Sequence, residues 1–199
     1  MCEGRREMAQ KKRSRKDDII RAAAKLFSRK GYERTSVRDI AREVGMRSGS
    51  IFYHFDSKEE ILVEVMAFGI GKFFEAAEEA LSHAKSPVEK LTYLFRAHLE
   101  ALLVDEHRDS MNVLLYEWRS LSDEGREEIV KLRDRYEEIW QEVLDEAKEA
   151  GLIEGDTKVL RLMILGSLNW SVQWFSPKGP LSADELAEAF VGFIMRNKS

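Results

Sequence analysis

The sequence contains few of the residues that break helices or cross-link chains. Its 199 residues include three prolines, at positions 87, 177 and 180, and one cysteine, Cys2. Because proline is the strongest helix breaker, residues 1–86 and 88–176 are free to form long helices. A single cysteine forms no intrachain disulfide, which suits a reducing compartment. Alternating apolar runs bounded by turns are also missing, so the sequence predicts an all-α fold without a sheet.

The chain also lacks a secretory leader and a long uncharged apolar run. Its N-terminus is charged, and its longest apolar segments contain Lys, Arg or Asn. We therefore expect no membrane span and a cytoplasmic location.

The charges are unevenly distributed, although the net charge is only −4. Residues 1–58 contain 16 basic and 8 acidic side chains, whereas the remainder contains 16 basic and 28 acidic ones. A basic head on an acidic body favours nucleic-acid binding, the alternative being a solvated run of charges. The stretch KKRSRK ends a predicted flexible arm, residues 1–16, which either reaches a minor groove or stays disordered.

Helical spacing and capping residues predict about nine helices. Three short ones fit in residues 17–55, with stops at Gly31 and Gly45 and a cap at Thr35 or Ser36. Longer helices are expected over 58–84, 87–105, 109–120, 123–150, 156–175 and 182–197. A division into two domains is proposed, with the three short helices over 17–62 and the longer helices over 63–199.

The stretch GMRSGSIFYHF, residues 45–55, combines small polar residues with aromatic rings. Ile51 and Phe55 lie four apart, so they share one helical face and are expected to pack inward. The polar residues then occupy the remaining faces, and Gly49 allows close backbone approach. A short face with one Arg and small hydroxyls suits a DNA major groove. Two short helices joined by a tight turn at Gly45 indicate a helix-turn-helix motif.

The run from Ile19 to Leu62 resembles the TetR family of bacterial transcriptional regulators. It contains F-x-x-x-G-Y, T-S-V-R-D-I-A, G-x-I-F-Y-H-F and S-K-E-E-I-L. The resemblance implies an all-helical homodimer with an N-terminal domain for double-stranded operator DNA and a C-terminal domain for a small ligand. The predicted DNA-binding residues are Thr35, Ser36, Arg47, Ser48, Gly49, Ser50, Phe52, Tyr53, His54 and Lys58.

Their roles differ under this resemblance. Phosphate contacts are implied for Thr35, Ser48, Tyr53, His54 and Lys58, and base-edge or groove contacts for Arg47, Ser50 and Phe52. Family members often carry Tyr at the position of Phe52, which is therefore either a DNA contact or a packing residue. His54 either contacts phosphate or caps a helix end, and Lys58 is alternatively an ordinary surface lysine. Arg38 and Arg42 are additional phosphate candidates.

The segment LGSLNWSVQWFSPKGPLSADELA, residues 165–187, resembles TetR regulators that sense acyl-CoA thioesters, including regulators of fatty-acid and sterol-ring breakdown. An acyl chain needs an apolar tunnel, and a CoA moiety needs cations, for which Arg119, Arg133 and Arg161 are candidates. The predicted effector is thus an acyl-CoA, with no metal or other cofactor. The predicted ligand-binding residues are Tyr93, His98, Met111, Leu115, Trp118, Arg119, Tyr136, Trp140, Asn169, Trp170 and Trp174.

Two features of the predicted ligand set leave alternatives open. Trp170 and Trp174 lie four apart, so they line either a ligand pocket or the core of a dimer interface formed by the last two helices. Asn169 lies in an apolar helix and needs a polar partner if it is buried. A ligand, a helix backbone and a second subunit each supply one.

Other functions compete with that of a regulator. An enzyme is disfavoured because the histidines at 54, 83, 98 and 107 lack metal-ligand spacing and no G-x-S-x-G occurs. A TetR-type sensor of other apolar ligands, of the multidrug type, is an alternative, as is a lipid-binding helical protein that does not bind DNA. The expected function is a dimeric repressor of a palindromic operator, released by a hydrophobic small molecule.

Overall fold

The computed structural model describes residues 2–104 and 108–195, with side chains from Arg15 onward. All regular elements in this part are helical, which confirms the predicted all-α fold. The nine α-helices are α1 (Cys2–Lys30), α2 (Val37–Glu43), α3 (Ser48–Ile51), α4 (Lys58–His83), α5 (Pro87–Leu103), α6 (Arg108–Tyr116), α7 (Asp123–Glu149), α8 (Thr157–Trp170) and α9 (Ala183–Ile194). Short 3-10 turns follow α6 at Trp118–Ser120 and α8 at Ser171–Gln173.

Capping residues fix most helix starts where the sequence predicted them. Ser36 caps α2 in a capping box with Asp39, and Ser182 does the same for α9 with Glu185. Ser57 Oγ accepts the Glu60 N–H at 3.0 Å at the start of α4. Each cap satisfies an N–H that has no partner inside its helix.

Gly45 ends α2 and creates the tight turn before α3. Its φ of 66° lies in the left-handed region, which glycine adopts without steric cost. The Gly45 N–H donates to the Arg42 carbonyl at 3.2 Å and the Met46 N–H to the Ala41 carbonyl at 2.8 Å. These are the two hydrogen bonds of a Schellman motif. Gly151 ends α7 in the same way, as predicted.

Three helices differ from their predicted bounds, among them α6, which ends at Tyr116 rather than at residue 120. Helix α1 begins at Cys2, where the sequence predicted a flexible arm up to residue 16; good helix formers dominate this stretch and no proline interrupts it. Side chains 11–14 of KKRSRK lie outside the described residues. Helix α8 ends at Trp170 rather than at 175, because the Ser171 hydroxyl donates to the Leu168 carbonyl at 2.5 Å and competes with the helical pattern. The predicted ends of α5 at 105 and α9 at 197 also lie outside the described residues.

The chain divides into two compact units. The first comprises Met1–Gly69 and Asp109–Val130, and the second comprises Ile70–Arg108 and Lys131–Ser199. The core of the first contains Ile19, Phe27 and Ile40, all buried. In the second unit, α9 packs on α5, where the Phe95 and Phe190 ring centroids are 6.1 Å apart. The segment 109–130 therefore belongs with the helix-turn-helix region, whereas the sequence analysis placed it in the ligand domain.

Among the described residues, no helix is long and apolar enough to cross a bilayer.

Substitution of Gly45 tests the role of the left-handed turn. A Cβ at this position meets no atom within 4 Å, so the penalty of Gly45→Ala is purely conformational. We expect the free energy of unfolding to fall by about 1 kcal/mol in urea titrations. The matched control is Gly71→Ala in α4, where a Cβ also meets open space and φ is not positive. It should stabilise the protein slightly, and equal effects of the two substitutions would contradict the assignment.

Candidate DNA-binding surface and buried polar cluster

Helix α3 presents a polar surface because it buries only one side. Ile51 is fully buried and Phe55 nearly so, as their spacing predicted. The opposite side carries Arg47 and Ser50, both exposed. Next to them, Phe52 is 53% and Tyr53 71% exposed, unusual values for large aromatic side chains. Phe52 thus lies on the surface and is not a packing residue.

The remaining predicted DNA contacts next to α3 lie close to this surface. Ser48 opens α3 and is half-buried. Gly49 is exposed, and no atom lies within 4 Å of the place that a Cβ would take there. His54 is half-buried and packs edge-to-face with Tyr53 at 5.3 Å between ring centroids. The structure therefore brings together the predicted residues from Arg47 to His54.

Three other predicted DNA contacts are engaged within the protein. Thr35 is 1% exposed, and its hydroxyl donates to the Gly31 carbonyl at 2.9 Å. A phosphate contact from this side chain is therefore not supported. The buried Thr35 hydroxyl instead stabilises the turn between α1 and α2. Ser36 is occupied by its cap with Asp39. Lys58 Nζ donates to the Tyr32 carbonyl at 3.0 Å and lies 3.9 Å from the centroid of the Tyr32 ring.

The two additional arginine candidates lie on α2. Arg38 is exposed. Arg42 is paired with Asp39 at 2.5 Å, and the Ser36 hydrogen bonds hold the pKa of Asp39 below its usual value. Of the two, Arg38 is thus the more available for a phosphate.

The predicted ligand-binding residues do not form one group. Met111, Leu115, Trp118 and Arg119 belong to the first compact unit, whereas the other seven belong to the second. Within the second unit, His98, Tyr136, Trp140 and Asn169 come together. Spacing along the chain did not reveal this division, because α6 and α5 follow one another in sequence.

The cluster in the second unit is a polar triad inside an aromatic shell, with His98 and Tyr136 buried and Asn169 half-buried. The Tyr136 hydroxyl lies 3.0 Å from His98 Nδ1, and Asn169 Oδ1 lies 3.3 Å from His98 Nε2. With the hydroxyl donating to Nδ1 and Nε2–H donating to Asn169, His98 is the neutral tautomer. Phe73 stacks on the imidazole at 4.6 Å between centroids, and Trp140 packs edge-on at 5.6 Å. Asn169 thus finds its predicted polar partner within its own chain.

Burial perturbs both titratable members of this triad. Desolvation lowers the pKa of His98 from 6.5 to about 4, against a smaller opposing effect of the Asn169 hydrogen bond. Desolvation likewise raises the pKa of Tyr136 above its usual value. Both groups are therefore neutral near pH 7 and present hydrogen-bonding atoms without charge. Both ring nitrogens of His98 are engaged within the triad, which thereby connects α5 to α7 and α8.

Phe73 is a member of this cluster that the sequence analysis missed. Phe73 and Phe74 are adjacent in α4, and the helical register decides which of them points at His98. Phe74 instead packs edge-on against Tyr136 at 5.6 Å. Periodicity alone did not distinguish the two rings.

The other predicted ligand residues of the second unit lie elsewhere on its surface. Tyr93 lines a groove of about 550 Å³ between α4 and α5, together with Ala76, Ala80, Arg96 and Glu100. Trp170 is 65% and Trp174 52% exposed. These two rings lie beside an apolar stripe on α8 that exposes Val159, Leu162 and Met163.

Two of the three predicted CoA-binding arginines share one carboxylate, and the third lies in the other compact unit. Arg161 and Arg133 each pair with Glu137, at 3.3 Å in both cases. Arg119 is exposed in the first unit. No cluster of metal-ligating side chains occurs in the part of the chain that the structure describes.

Two family descriptions match successive parts of the chain. Residues 19–65 match the bacterial regulatory proteins of the tetR family, and residues 84–197 match the tetracyclin repressor-like C-terminal domain. The chain belongs to the TetR family of bacterial regulatory proteins. The resemblance seen in the sequence is confirmed, and a regulator rather than an enzyme is the class that the family supports.

Several known proteins are similar to this chain over nearly its whole length. The HTH-type transcriptional repressor KstR2 of Mycolicibacterium smegmatis is 35% identical over 92% of this chain and 89% of its own. The structure of AibR in complex with isovaleryl coenzyme A and operator DNA is 29% identical, with a TM-score of 0.81, and covers 90% of this chain and 97% of AibR. The structure of superantigen PfiT is 42% identical, with a TM-score of 0.82, and covers 92% of this chain and 97% of PfiT.

The low pKa of His98 predicts a specific loss of stability in acid. The unfolded chain binds a proton near pH 6.5, whereas the folded protein binds it only near pH 4. The free energy of unfolding should therefore decrease as the pH is lowered through this range, by about 2 kcal/mol from pH 7.5 to pH 5. Urea titrations at both pH values measure it, with His98→Gln as the reference that lacks this titration. An identical pH dependence in the two proteins would refute the assignment.

Proposed function

We propose that this TetR-family protein is a ligand-responsive transcriptional repressor that binds a palindromic operator as a dimer. The observation that carries the proposal is the one-sided burial of α3, which keeps Ile51 and Phe55 inside and leaves Arg47, Ser50 and Tyr53 exposed. A helix with this composition suits a major groove, and the flanking hydroxyl and imidazole groups suit phosphates. KstR2, named a repressor, supports the direction of control.

A homodimer is supported by the apolar surface of the second unit. Val159, Leu162 and Met163 follow one another at helical spacing along α8, and Trp170 continues their stripe. On α9, Phe193 is 86% exposed. An exposed apolar stripe of this kind is typical of a protein interface. A homodimer has two α3 helices, and dimeric helix-turn-helix proteins bind half-sites in successive major grooves, about 34–36 Å apart.

The proposed effector is an acyl-CoA thioester. AibR forms a complex with isovaleryl coenzyme A and operator DNA, and it shares the fold over nearly its whole length. The His98–Tyr136–Asn169 triad provides neutral hydrogen-bonding groups next to aromatic rings, as a thioester carbonyl and an acyl chain require. PfiT has a similar fold but is described as a superantigen, so the fold alone does not identify the ligand. A sensor of other apolar ligands is the alternative within the family.

Two substitutions test the phosphate contacts of the DNA-binding surface. Tyr53→Phe with His54→Ala should weaken operator binding at least tenfold in fluorescence anisotropy, because it removes two phosphate donors. Far-ultraviolet circular dichroism should stay unchanged, since Tyr53 is largely exposed. Tyr116→Phe, at an exposed tyrosine of α6, is the matched control and should bind as the wild type does. Wild-type affinity in the double variant would exclude these two contacts.

The effector is tested by gel shift on the DNA upstream of the gene for this protein. Isovaleryl-CoA and palmitoyl-CoA should each be tested for release of the bound protein, with CoA alone and free palmitate as controls. Release by a thioester but not by its parts is the expected result. Release by tetraphenylphosphonium instead would favour the multidrug-type alternative.

Raising the salt concentration should weaken binding steeply, because DNA association releases counterions.

A further inference from the structure

The stretch that joins α6 to α7, residues 117–122, is here named the connector. It lies in Asp109–Val130, the segment that shares a compact unit with the helix-turn-helix region. The sequence analysis placed it in the ligand domain, and the C-terminal family match over 84–197 includes it too. Within this unit, hydrogen bonds hold the connector to the helix-turn-helix region.

Two carboxylates make this attachment, one from each side. Glu117 Oε1 accepts the Tyr32 N–H at 3.0 Å, and Glu59 Oε1 accepts the Ser122 N–H at 2.6 Å. Both donors are backbone amides, so these bonds fix the main chain. Hydrogen bonding from the Ser122 side chain, and secondly from its backbone N–H, holds the pKa of Glu59 below its usual value. Hydrogen bonds to a charged acceptor are also stronger than neutral ones.

Glu117 is itself held in a single orientation. The Ser120 hydroxyl donates to its other oxygen, Oε2, at 2.9 Å, and the Ser120 N–H donates to the Glu117 carbonyl at 2.9 Å. The side chain is half-buried. Both carboxylate oxygens thus have partners, and one of the two points at the turn between α1 and α2.

The peptide group between Gly31 and Tyr32 is fixed at both ends. Its N–H donates to Glu117, and its carbonyl oxygen, that of Gly31, accepts the Thr35 hydroxyl at 2.9 Å. Gly31 has a φ of 84°, so the turn takes a left-handed path. Glu117 and Thr35 together hold the peptide that sets this path.

The same turn holds Lys58, at the start of α4. The Tyr32 carbonyl accepts Lys58 Nζ at 3.0 Å, and the Tyr32 ring lies 3.9 Å from that ammonium. An ammonium has three N–H donors, so two remain for another acceptor such as a phosphate. The position of Tyr32 therefore determines where Lys58 presents its charge.

We propose that Glu117 is a positioning residue for DNA binding, because its carboxylate holds Tyr32, and Tyr32 in turn holds the Lys58 ammonium for a phosphate. The assignment rests on the proposed DNA-binding function and on the phosphate contact that the family resemblance implies for Lys58. If this assignment holds, displacement of the Glu117 side chain changes the DNA affinity, although Glu117 itself does not contact DNA.

Charge and positioning predict opposite signs for Glu117→Ala. Removing an acid from a DNA-binding protein strengthens its attraction to phosphates if long-range charge is all that matters. Loss of the Tyr32 hydrogen bond instead releases Lys58 and weakens DNA binding. Glu124, an exposed acid in the first turn of α7, provides the matched charge control.

The test uses the full-length protein and duplexes selected by the wild type from random DNA, with affinity measured by fluorescence anisotropy. Glu117→Ala should weaken binding roughly tenfold. Glu117→Gln, which keeps an acceptor for Tyr32, should stay within about twofold of the wild type. Glu124→Ala should bind equally well or slightly better. Unchanged or tighter binding by Glu117→Ala would overturn the proposal.

Glu117→Asp covers the case in which the alanine variant does not fold, as judged by circular dichroism. It keeps the charge but withdraws the carboxylate by one methylene, so it should also weaken binding. Wild-type affinity in this folded variant would equally overturn the proposal.

A double-mutant cycle with Lys58→Ala separates positioning from a general loss of stability. If Glu117 acts through Lys58, adding Glu117→Ala to the Lys58→Ala variant should lower its DNA affinity by less than about twofold. Additive effects would overturn the proposal, because a general structural role does not depend on Lys58. Lys58→Ala with wild-type affinity would instead refute the proposed phosphate contact of Lys58, and the role of Glu117 with it. A weakened Lys58→Ala with an unaffected Glu117→Ala refutes the role of Glu117 alone.

Discussion

The burial of Ile51 and Phe55 is the constraint on which the DNA-facing surface depends. A helix of four residues is far too short to be stable by itself, so tertiary packing must hold it in place. The two buried side chains provide that packing and also fix the rotation of α3. Rotation of the helix by one residue position would bury polar groups and expose the apolar ones. The exposure of Arg47 and Ser50 thus follows directly from the burial of their neighbours.

A second constraint operates in the other compact unit, where a polar triad lies among aromatic rings. Buried polar groups are costly unless they are hydrogen-bonded. His98 forms hydrogen bonds with both Tyr136 and Asn169. Because burial keeps the imidazole neutral, the triad offers donors and acceptors without a net charge. Hydrogen bonds between side chains of three helices favour one arrangement of α5, α7 and α8 over others.

Much of the fold was predictable from the sequence because its signals are local. Ser36, Ser57 and Ser182 mark helix starts, and Gly45 and Gly151 mark ends, so most boundaries followed from single residues. The inward direction of Ile51 and Phe55 followed from their spacing. The engagement of Thr35 and Lys58 within the protein did not, because the carbonyls of Gly31 and Tyr32 that accept from them carry no sequence signal. For the same reason, the attachment of Glu117 to a backbone amide of another turn was not foreseen. The grouping of ligand candidates failed at Met111 and Trp118, since membership of a compact unit depends on contacts distant in sequence.

The DNA-binding region is discontinuous in sequence, and this has a consequence for synthesis. Its first part ends at Gly69, and its second part runs from Asp109 to Val130. Domains generally fold as units while a chain emerges from the ribosome. A nascent chain that has emerged only to Gly69 lacks Glu117 and Ser122, and with them the two hydrogen bonds that join the parts. The N-terminal region therefore completes its folding only after residue 130 has left the exit tunnel, when residues 131–199 of the second unit have not yet emerged.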